Sequence, residues 1–360
     1  MRIAQVSPLW EQVLPPESRE IERLVGHLTD ELCRRGHQVT LFACGDSQTL
    51  ADLDSISPEA QQLNPNVSEP GRDESLQYQR VLDRAKDFDI IHFHTGHSAL
   101  PYAEMLTTPV VHTLHNGFTL ENPDLFRQYR HQTYISISDA QQQRVPELNI
   151  LRTIHNGIAV ADYPFIKKPA NDPPYLAFLG RLSPDNGPHQ AIEIAKRTGW
   201  TLKLAGKIDA VDRRYIETQI APHIDGDQIQ YHGELSHKDK LNLLGYASAT
   251  LLPITRDEPF DWVALESMGT GTPVIAGNRG AVPEIIAQGT TGFICNSIDE
   301  MVAAVPRVKG LKRQHSRDLV VRSFSISSMV EKYEAAYRNL LHQRWRQHRR
   351  PVPTPPLAAA

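Results

Sequence analysis

The 360-residue chain is 40% hydrophobic and 22% charged, which is enough apolar sequence to bury a core and excludes an intrinsically disordered protein. A net charge of −4 gives no electrostatic reason to expect nucleic-acid binding. Apolar runs fall short of the roughly 18–20 residues that cross a bilayer, and three widely separated cysteines form neither a disulfide framework nor a metal-ligand pattern. We expect a cytoplasmic protein with two domains.

Short apolar runs alternate with longer helical patterns in the first half, which is typical of parallel βαβ architecture. The chain starts with a strand pattern and lacks the longer apolar segment of a signal peptide. We expect the first helix at 21–35 and only loop and helix fragments within Gly45–Glu74. The expected strands are Ile3–Ser7, Val39–Cys44, Ile90–His94, Val110–Leu114, Tyr134–Ser138 and Arg152–His155.

The second half repeats this alternation after a proline-containing linker, Asn156–Pro174. A final helical pattern covers Ser328–Leu341, and the arginine- and proline-containing segment after it is expected to be disordered. The sequence therefore predicts an α/β protein with two Rossmann-like doubly wound parallel-sheet domains that face each other across a cleft. The expected strands here are Tyr175–Leu179, Thr201–Ala205, Ile229–Tyr231, Ala249–Pro253, Pro273–Ala276 and Gly292–Cys295.

Two glutamates stand eight positions apart in Glu258-Pro-Phe-Asp-Trp-Val-Ala-Leu-Glu266, directly after an apolar strand pattern. Proline suits the first position of a helix, so we expect the helix to begin at Pro259. At roughly 1.5 Å per residue, Glu266 then lies about 12 Å along the axis from Glu258. That separation suits a nucleotide sugar, whose phosphates would meet the free N–H groups of the helix start. The alternative is a solvated acidic helix start.

Several short motifs, each different from the others, lie along both halves in a definite order and spacing. They are Glu22-Arg23-Leu24-Val25, Leu32…Arg35-Gly-His37, Asn156-Gly157-Ile158, Gly180-Arg181-Leu182…Gly187, Ala205-Gly206-Lys207, Glu258…Glu266, Gly271-Thr-Pro-Val-Ile-Ala276 and Gly292-Phe293. In this order the chain resembles the retaining glycosyltransferases of family 4, which use nucleotide-sugar donors and have the two-domain GT-B architecture. The resemblance extends over nearly the whole chain.

The resemblance implies a role for several residues. Glu258 would hold hydroxyls of the donor sugar, Glu266 the ribose diol and Arg181 the diphosphate. His115, in Val110-Val-His-Thr-Leu-His115-Asn, matches the histidine that faces the sugar in the cleft. The other residues expected to bind substrate are Lys207, Asn186, Asp261, Trp262, Val263 and Arg19.

The resemblance also implies that the last helix returns to the first domain. We expect an acceptor-side domain at 1–160 with the helix 326–342, and a donor domain at 161–325. The expected tail is 343–360, whose arginines give at most a weak peripheral membrane contact. The acceptor is an unspecified small molecule, lipid or glycan, and no partner nucleic acid is expected.

Cations on short βα connections suit the departing diphosphate. Arginine presents a planar, permanently charged fork to phosphate oxygens, so Arg181 and Lys207 would replace a divalent metal, and we expect no cofactor or metal. The alternative for each is a surface side chain in a turn, and we favour the functional interpretation. Trp262 would either stack on a ring or pack against its neighbours.

Three sites depart from the family pattern, and all concern anion binding. The segment Pro15-Pro-Glu-Ser-Arg19-Glu20 replaces a Gly-Gly turn, Asn186 replaces a lysine, and Asp261 replaces a glycine beside the helix start. Each change weakens diphosphate binding by Coulomb's law, although Arg19 and Lys207 would restore positive charge. The function predicted is a hexosyltransferase using a UDP- or GDP-type sugar. The alternatives are a nucleotide-sugar epimerase or hydrolase of the same fold and a catalytically silent scaffold protein.

Two further patterns contain residue types that bind metals, but we do not expect a metal site at either. His92, His94, His112 and His115 alternate on neighbouring strands, but they lack nearby carboxylates or cysteines. Asp225-Gly-Asp227 has the spacing of a metal-binding motif found in transferases of another fold. Because it lies in a loop before a strand, we expect a turn there.

Overall fold

The computed structural model describes residues 1–14, 20–61, 71–115, 123–169 and 173–348. Within these ranges the strands form two sheets, one of seven strands and one of six, and their pairings are parallel. Parallel strands are buried on both faces by helices, which explains why they are nearly continuous apolar runs in the sequence. The expected α/β class with two doubly wound parallel sheets is confirmed.

The first sheet belongs to the N-terminal half of the chain. Its strands are β1 (Arg2–Val6), β2 (Gln38–Phe42), β3 (Asp52–Asp54), β4 (Ile90–Phe93), β5 (Val110–Leu114), β6 (Tyr134–Ser136) and β7 (Ile150–Thr153). Their order in the sheet is β3-β2-β1-β4-β5-β6-β7. The order reverses between β1 and β4, and in such sheets ligands bind beyond the carboxyl ends of the strands.

The second sheet begins after the linker. Its strands are β8 (Tyr175–Leu179), β9 (Thr201–Ala205), β10 (Ile229–Tyr231), β11 (Ala249–Leu252), β12 (Val274–Gly277) and β13 (Gly292–Cys295). Their order is β10-β9-β8-β11-β12-β13, so the reversal lies between β8 and β11.

Helices cover both sheets. Those in the first half are α1 (Glu20–Arg34), α2 (Arg72–Arg84), α3 (Leu100–Ala103), α4 (Pro123–Gln128) and α5 (Asp139–Gln143). The second half contains α6 (Pro188–Thr198), α7 (Arg213–Tyr215), α8 (His237–Tyr246), α9 (Trp262–Gly269), α10 (Val282–Ile285), α11 (Ile298–Ala304) and α12 (Arg313–Ser323), and the last helix is α13 (Ile326–His348).

Helix α13 packs on the first sheet although it comes last in the chain. Its residues Tyr333 and Tyr337 are buried in one core with Leu28 of α1 and Ile90 of β4. At the end of α1, the carboxylate of Glu334 accepts a hydrogen bond from Arg35. One face of the first sheet is therefore completed by residues synthesised after the whole second sheet.

Two crossing segments join the halves and pair with each other. The Ile158 N–H donates to Phe324 O at 2.9 Å, and the Ile326 N–H donates to Ile158 O at 3.1 Å. A Cβ on Gly157 would lie 2.7 Å from Ser325 O, so only glycine permits this approach of the two backbones. The linker and the segment that leads into α13 thus cross between the two halves side by side and are hydrogen-bonded to each other.

Two expectations about chain segments were wrong. Gly45–Glu74 contains strand β3, paired in parallel with β2, where we expected only loop and helix fragments. Helix α13 continues to His348, whereas we expected the disordered tail to begin at residue 343. Part of that extension is fixed by Arg344, whose guanidinium donates to Thr107 O at 2.8 Å. Residues 349–360 lie outside the described residues.

Candidate functional site

A cavity of about 450 Å³ lies at the carboxyl ends of β8 and β11, where the second sheet reverses its order. This is the position at which doubly wound sheets bind ligands. The cavity draws on both halves, because Glu20 of α1 is part of its wall. Its lining consists of Glu20, Phe178, Leu179, Gly180, Arg181, Asn186, Leu252, Ile254, Arg256, Glu258, Phe260, Asp261, Trp262 and Val263.

Helix α9 begins at Trp262, three residues later than the sequence predicted at Pro259. The cause is Asp261, whose backbone is extended and whose carboxylate accepts the Ala264 N–H at 2.8 Å as the N-cap. Asp261 is only 8% exposed, and burial raises its pKa to about 6. The carboxylate expected beside the helix start is therefore present. It already accepts the Ala264 N–H, one of the N–H groups that a bound anion would use.

Glu258 lies outside helix α9, so the expected 12 Å separation along a common helix axis does not apply. Its backbone is fixed by an Ala281 N–H that donates to Glu258 O at 3.0 Å. Gly280 has a φ of +48°, and a Cβ there would lie 2.1 Å from Glu258 O. The side chain is paired with Arg256. A rigid turn therefore presents the Glu258 carboxylate to the cavity together with its own counter-ion.

Both cations expected to hold a diphosphate share one acidic partner. Asp209 lies 2.9 Å from Lys207 Nζ and 3.6 Å from Arg181 Nη1. The hydrogen bond from Lys207 lowers the pKa of Asp209, so this carboxylate is ionised at neutral pH. Arg181 lines the cavity, whereas Lys207 is not part of the lining and is 62% exposed at its side chain. Asn186 lines the cavity and donates to Arg181 O at 2.8 Å, so it supports the backbone of this turn.

Glu266 is buried and lies at the meeting point of three distant segments. Its Oε1 atom accepts a hydrogen bond from Lys240 of α8 at 2.5 Å and from the Tyr163 hydroxyl at 3.0 Å. Arg23 of α1 lies 3.5 Å from the same oxygen. Glu266 is 4% exposed and is not among the residues that line the cavity. Because Arg23 comes from the first half, Glu266 also links the two halves.

The remaining expected binding residues are distributed as follows. Trp262 and Val263 line the cavity, and the Trp262 ring is also in edge contact with Phe260 at a centroid distance of 5.5 Å. Arg19 lies outside the described residues. His115 follows β5, and its Nε2 atom lies 2.8 Å from His94 Nδ1. Burial lowers the pKa of His115 to about 4, so its ring is neutral at pH 7.

A second set of contacts crosses between the halves near Glu258. The Glu284 carboxylate accepts the N–H groups of Asp139 and Ala140 at the start of α5, each at 2.8 Å. The same carboxylate lies 2.7 Å from His155 Nε2. Arg144 pairs with Asp257, the residue before Glu258. The carboxyl-terminal edge of the first sheet is thereby held against the turn that positions Glu258.

The described part of the chain gives no support for a metal centre. No group of three or more His, Cys, Asp or Glu side chains within it is arranged to hold a metal ion. Asp225-Gly-Asp227 forms a turn, as expected, in which the Asp225 carboxylate accepts the N–H groups of Asp227 and Ile229. No described helix combines the length and apolar character needed to span a bilayer.

Sequence reasoning missed two charged residues of this site. Asp209 neutralises the two expected cations, and Arg256 neutralises Glu258. Both lie within two residues of a motif that was identified, Asp209 after Lys207 and Arg256 before Glu258. Charges adjacent to a motif on the same short connection were the signal that could have found them.

Two family models match the chain in succession. Residues 21–162 match Glycosyltransferase Family 4, and residues 160–316 match Glycosyl transferases group 1. Glycogen synthase of Mycobacterium tuberculosis is 28% identical in an alignment 363 positions long, which covers 86% of each chain. Putative glycosyltransferase YtcC of Bacillus subtilis is 26% identical over 254 residues, covering 60% of this chain and 62% of that one.

Solved structures share the fold at lower identity. AviGT4, a glycosyltransferase involved in avilamycin A biosynthesis, superposes with a TM-score of 0.69 at 23% identity, covering 95% of this chain and 98% of that one. HepE of Anabaena in complex with UDP superposes with a TM-score of 0.70 at 16% identity, covering 94% and 100%. Its complex with UDP-glucose gives a TM-score of 0.65 at 17% identity, with the same coverage.

Proposed function

Because the chain belongs to the glycosyltransferases of family 4, we propose that it transfers a hexose from a UDP- or GDP-type sugar to an acceptor hydroxyl. The proposed reaction retains the configuration at the anomeric carbon. The observation that carries the proposal is the cavity at the reversal point of the second sheet, whose lining includes both Arg181 and Glu258. A cation suits a diphosphate, and a carboxylate suits sugar hydroxyls. The HepE complexes with UDP and UDP-glucose, which share the fold, support a donor of this class.

In the proposed reaction the acceptor oxygen bonds to the anomeric carbon on the face from which the diphosphate oxygen departs. The acceptor proton passes to that departing oxygen, so no side-chain nucleophile is required. Arg181 stabilises the charge that collects on the leaving diphosphate. Glu258 holds sugar hydroxyls, and Glu266 holds the ribose diol.

A thermal-shift series tests the donor class. The full chain is heated with UDP, GDP and ADP and with their glucose, galactose, mannose and N-acetylglucosamine conjugates. A ligand that binds the folded state raises the melting temperature by mass action, and we expect a rise with UDP or GDP conjugates. The absence of a rise with every nucleotide overturns the proposed donor site.

Product analysis tests the reaction itself. NMR of the glycoside formed from the selected donor should show the anomeric configuration of that donor, and an inverted product contradicts retention. Release of free sugar, or conversion of the sugar to its epimer, without any glycoside in the presence of varied acceptors would instead indicate the hydrolase or epimerase alternative.

Removing the charge of Asp209 is expected to strengthen nucleotide binding. Asp209 lies within 3.6 Å of Arg181 and is 29% exposed at its side chain. Asp209 competes with the phosphates for Arg181 and repels them, so Asp209→Asn should tighten the Kd for UDP or GDP a few-fold at low salt. The measurement is isothermal titration calorimetry at two salt concentrations, because screening should reduce the gain. Asp212→Asn, three positions along the same connection, is the matched control, and an equal gain in that variant contradicts the prediction.

Binding of a nucleotide sugar is expected to tighten as the pH falls through about 6. The pKa of Asp261 is raised to about 6, so the carboxylate that caps α9 is charged above this pH and neutral below it. A sugar diphosphate keeps its two charges throughout this range, so only the protein charge changes. We expect several-fold tighter binding of the donor at about pH 5.5 than at about pH 7.5 from the loss of like-charge repulsion.

Asp261→Asn is the control for this pH dependence, because it keeps an N-cap oxygen without the charge. Its affinity should be the same at both pH values and close to that of the wild type at the lower one. A wild-type affinity that does not change with pH contradicts the prediction. The charged groups that also face this cavity are Glu20, Glu258, Arg181 and Arg256, and Glu266 lies along the same helix.

A further inference from the structure

A chain of buried hydrogen bonds runs through the first sheet from helix α13 to the end of β5. Gln5 of β1 stands at its centre and has no exposed surface. Gln5 Nε2 donates to the Tyr337 hydroxyl at 3.1 Å, and Gln5 Oε1 lies 2.8 Å from His94 Nε2. His94 Nδ1 in turn lies 2.8 Å from His115 Nε2. The chain therefore connects α13 to the ring that follows β5.

The amide of Gln5 fixes the direction of these hydrogen bonds. A carbonyl oxygen only accepts, so His94 Nε2 must carry a proton and donate it to Gln5 Oε1. Burial lowers the pKa of His94 well below its ordinary value, so the ring is neutral and has one N–H. His94 Nδ1 is therefore an acceptor, and the donor that faces it is the Nε2–H of His115.

The same reasoning reaches the other nitrogen of His115. The ring is neutral, and its single proton is already placed on Nε2, so Nδ1 has a lone pair and no hydrogen. Nδ1 is buried, and among the described residues it has no hydrogen-bond partner. A buried acceptor without a partner is destabilising, which favours binding of a group that donates to it.

The position of His115 connects it with the site. The carbonyl of the preceding residue, Leu114, accepts a hydrogen bond from Gln141 Nε2 at 2.8 Å. Gln141 lines a small cavity between the halves whose opposite wall includes Asp257 and Glu258. His115 thus follows a residue that is hydrogen-bonded to Gln141, and Gln141 lines the same cavity as the turn of Glu258.

We propose that Gln5 and His94 are positioning residues that hold His115 in the Nε2–H tautomer, so that its Nδ1 accepts a hydrogen bond from a hydroxyl of the bound sugar. The tautomer follows from the hydrogen bonds of the protein alone, whereas the sugar hydroxyl rests on the proposed function. An acceptor at this place favours a hydroxyl and disfavours an anion or a carbonyl oxygen.

A second branch of the network provides a control. The Tyr337 hydroxyl lies 2.6 Å from His92 Nδ1, and His92 Nε2 lies 2.7 Å from Thr113 Oγ1. This branch starts from Gln5 Nε2 through the Tyr337 hydroxyl, whereas the branch to His94 and His115 starts from Gln5 Oε1. It therefore does not include His115. Thr113→Val removes the two buried hydrogen bonds of Thr113 Oγ1, to His92 Nε2 and to the Tyr333 hydroxyl, and retains the shape of the side chain.

NMR of the full chain with ¹⁵N-labelled histidine reads the tautomer directly. The spectrum of His115→Asn identifies the His115 signals among the 16 histidines. Without any ligand, we expect wild-type His115 to be protonated at Nε2 and unprotonated at Nδ1. A proton on Nδ1 overturns the proposal, and this result does not depend on the folding of any Gln5 variant.

Gln5→Met tests the source of the tautomer, because methionine has a similar length and no amide. We expect both tautomers of His115 in this variant. At equal populations, the apparent Kd for the sugar nucleotide selected by thermal shift rises about twofold. Thr113→Val should keep a single tautomer and the wild-type Kd. An unchanged tautomer in Gln5→Met, or a mixture in Thr113→Val, overturns the role of Gln5.

Titration with ligand separates this inference from the proposed function. UDP-glucose or GDP-glucose should shift the His115 Nδ1 signal, whereas UDP or GDP alone should leave it in place. Binding of the sugar conjugate without that shift overturns the sugar contact. If no conjugate binds and the tautomer is nevertheless as assigned, the proposed function fails and the roles of Gln5 and His94 in setting the tautomer stand.

Discussion

Glu258→Ala is expected to lower turnover of the donor about 100-fold and to change the Kd for UDP or GDP by less than about twofold. Hydrogen bonds to charged groups are worth about 1.5–3 kcal/mol, and one or two of them to sugar hydroxyls account for such a loss. The nucleotide does not contact this carboxylate in the proposed arrangement. Because Glu258 also pairs with Arg256, its removal adds net positive charge to the cavity, which cannot weaken diphosphate binding.

Steady-state kinetics with the donor selected by thermal shift, together with calorimetry of the nucleotide alone, measure the two effects separately. Glu193→Ala on α6 is the control, since Glu193 is 52% exposed and pairs only with a surface arginine among the contacts described. Wild-type turnover in Glu258→Ala would remove Glu258 from the sugar site. An equal loss of nucleotide affinity would instead place it at the diphosphate.

Glu266→Ala is expected to lower the free energy of unfolding by about 3 kcal/mol, the lower end of the cost of breaking a buried ion pair. Glu266 is 4% exposed, and its loss leaves Lys240 and Arg23 without the carboxylate between them. The family resemblance implies that Glu266 holds the ribose diol, so from the sequence a loss of nucleotide binding is expected. Because its partners lie in both halves of the chain, we expect a loss of stability before any ligand is added.

Urea unfolding followed by circular dichroism measures this effect. Glu266→Gln keeps an acceptor for the Tyr163 hydroxyl, so it should lose about half as much stability or less. A variant Glu266→Ala with the stability of the wild type contradicts the prediction. A loss of UDP affinity in Glu266→Gln, in which the stability is mostly kept, would report the ribose contact separately.

Buried parallel strands were the part of the fold most readily predicted. Val110–Leu114, Tyr175–Leu179 and Thr201–Ala205 have the bounds expected from their apolar runs. Because such strands are covered on both faces, most of their residues are apolar, and this apolar run is enough to predict the strand. The short edge strand Asp52–Asp54 lacks this signal, because two of its three residues are acidic and it has only one neighbour, β2.

Helix ends were predicted less well where a specific contact decides them. A proline at a first helical position is a general tendency, but at α9 the Asp261 carboxylate caps the chain two residues after Pro259 and sets the start there. At the other end of the chain, composition suggested disorder from residue 343. The arginine and glutamine residues of this segment are good helix formers, and they continue α13 to His348.

The site was predictable as a set of motifs but not as a set of contacts. Arg181 and Glu258 line one cavity, as their motif positions suggested. The partners of Glu266 are 103 and 26 positions away for Tyr163 and Lys240, and they lie on separate elements. Local periodicity contains no information on contacts of that range, so the buried charge cluster could be found only in the folded chain.

The return of α13 to the first sheet has a consequence for how the protein folds on the ribosome. Strand β7 ends at Thr153, but Ile326, the first residue of α13, is synthesised only after the entire second sheet. At roughly 5–20 residues per second, the first sheet waits on the order of 10 s or more with one face incomplete. During that time Gln5 and His92 lack their hydrogen-bond partner Tyr337. The half that is synthesised first is therefore the half that completes its folding last. Nascent chains stalled before residue 326 should expose an apolar surface of the first sheet to which chaperones bind.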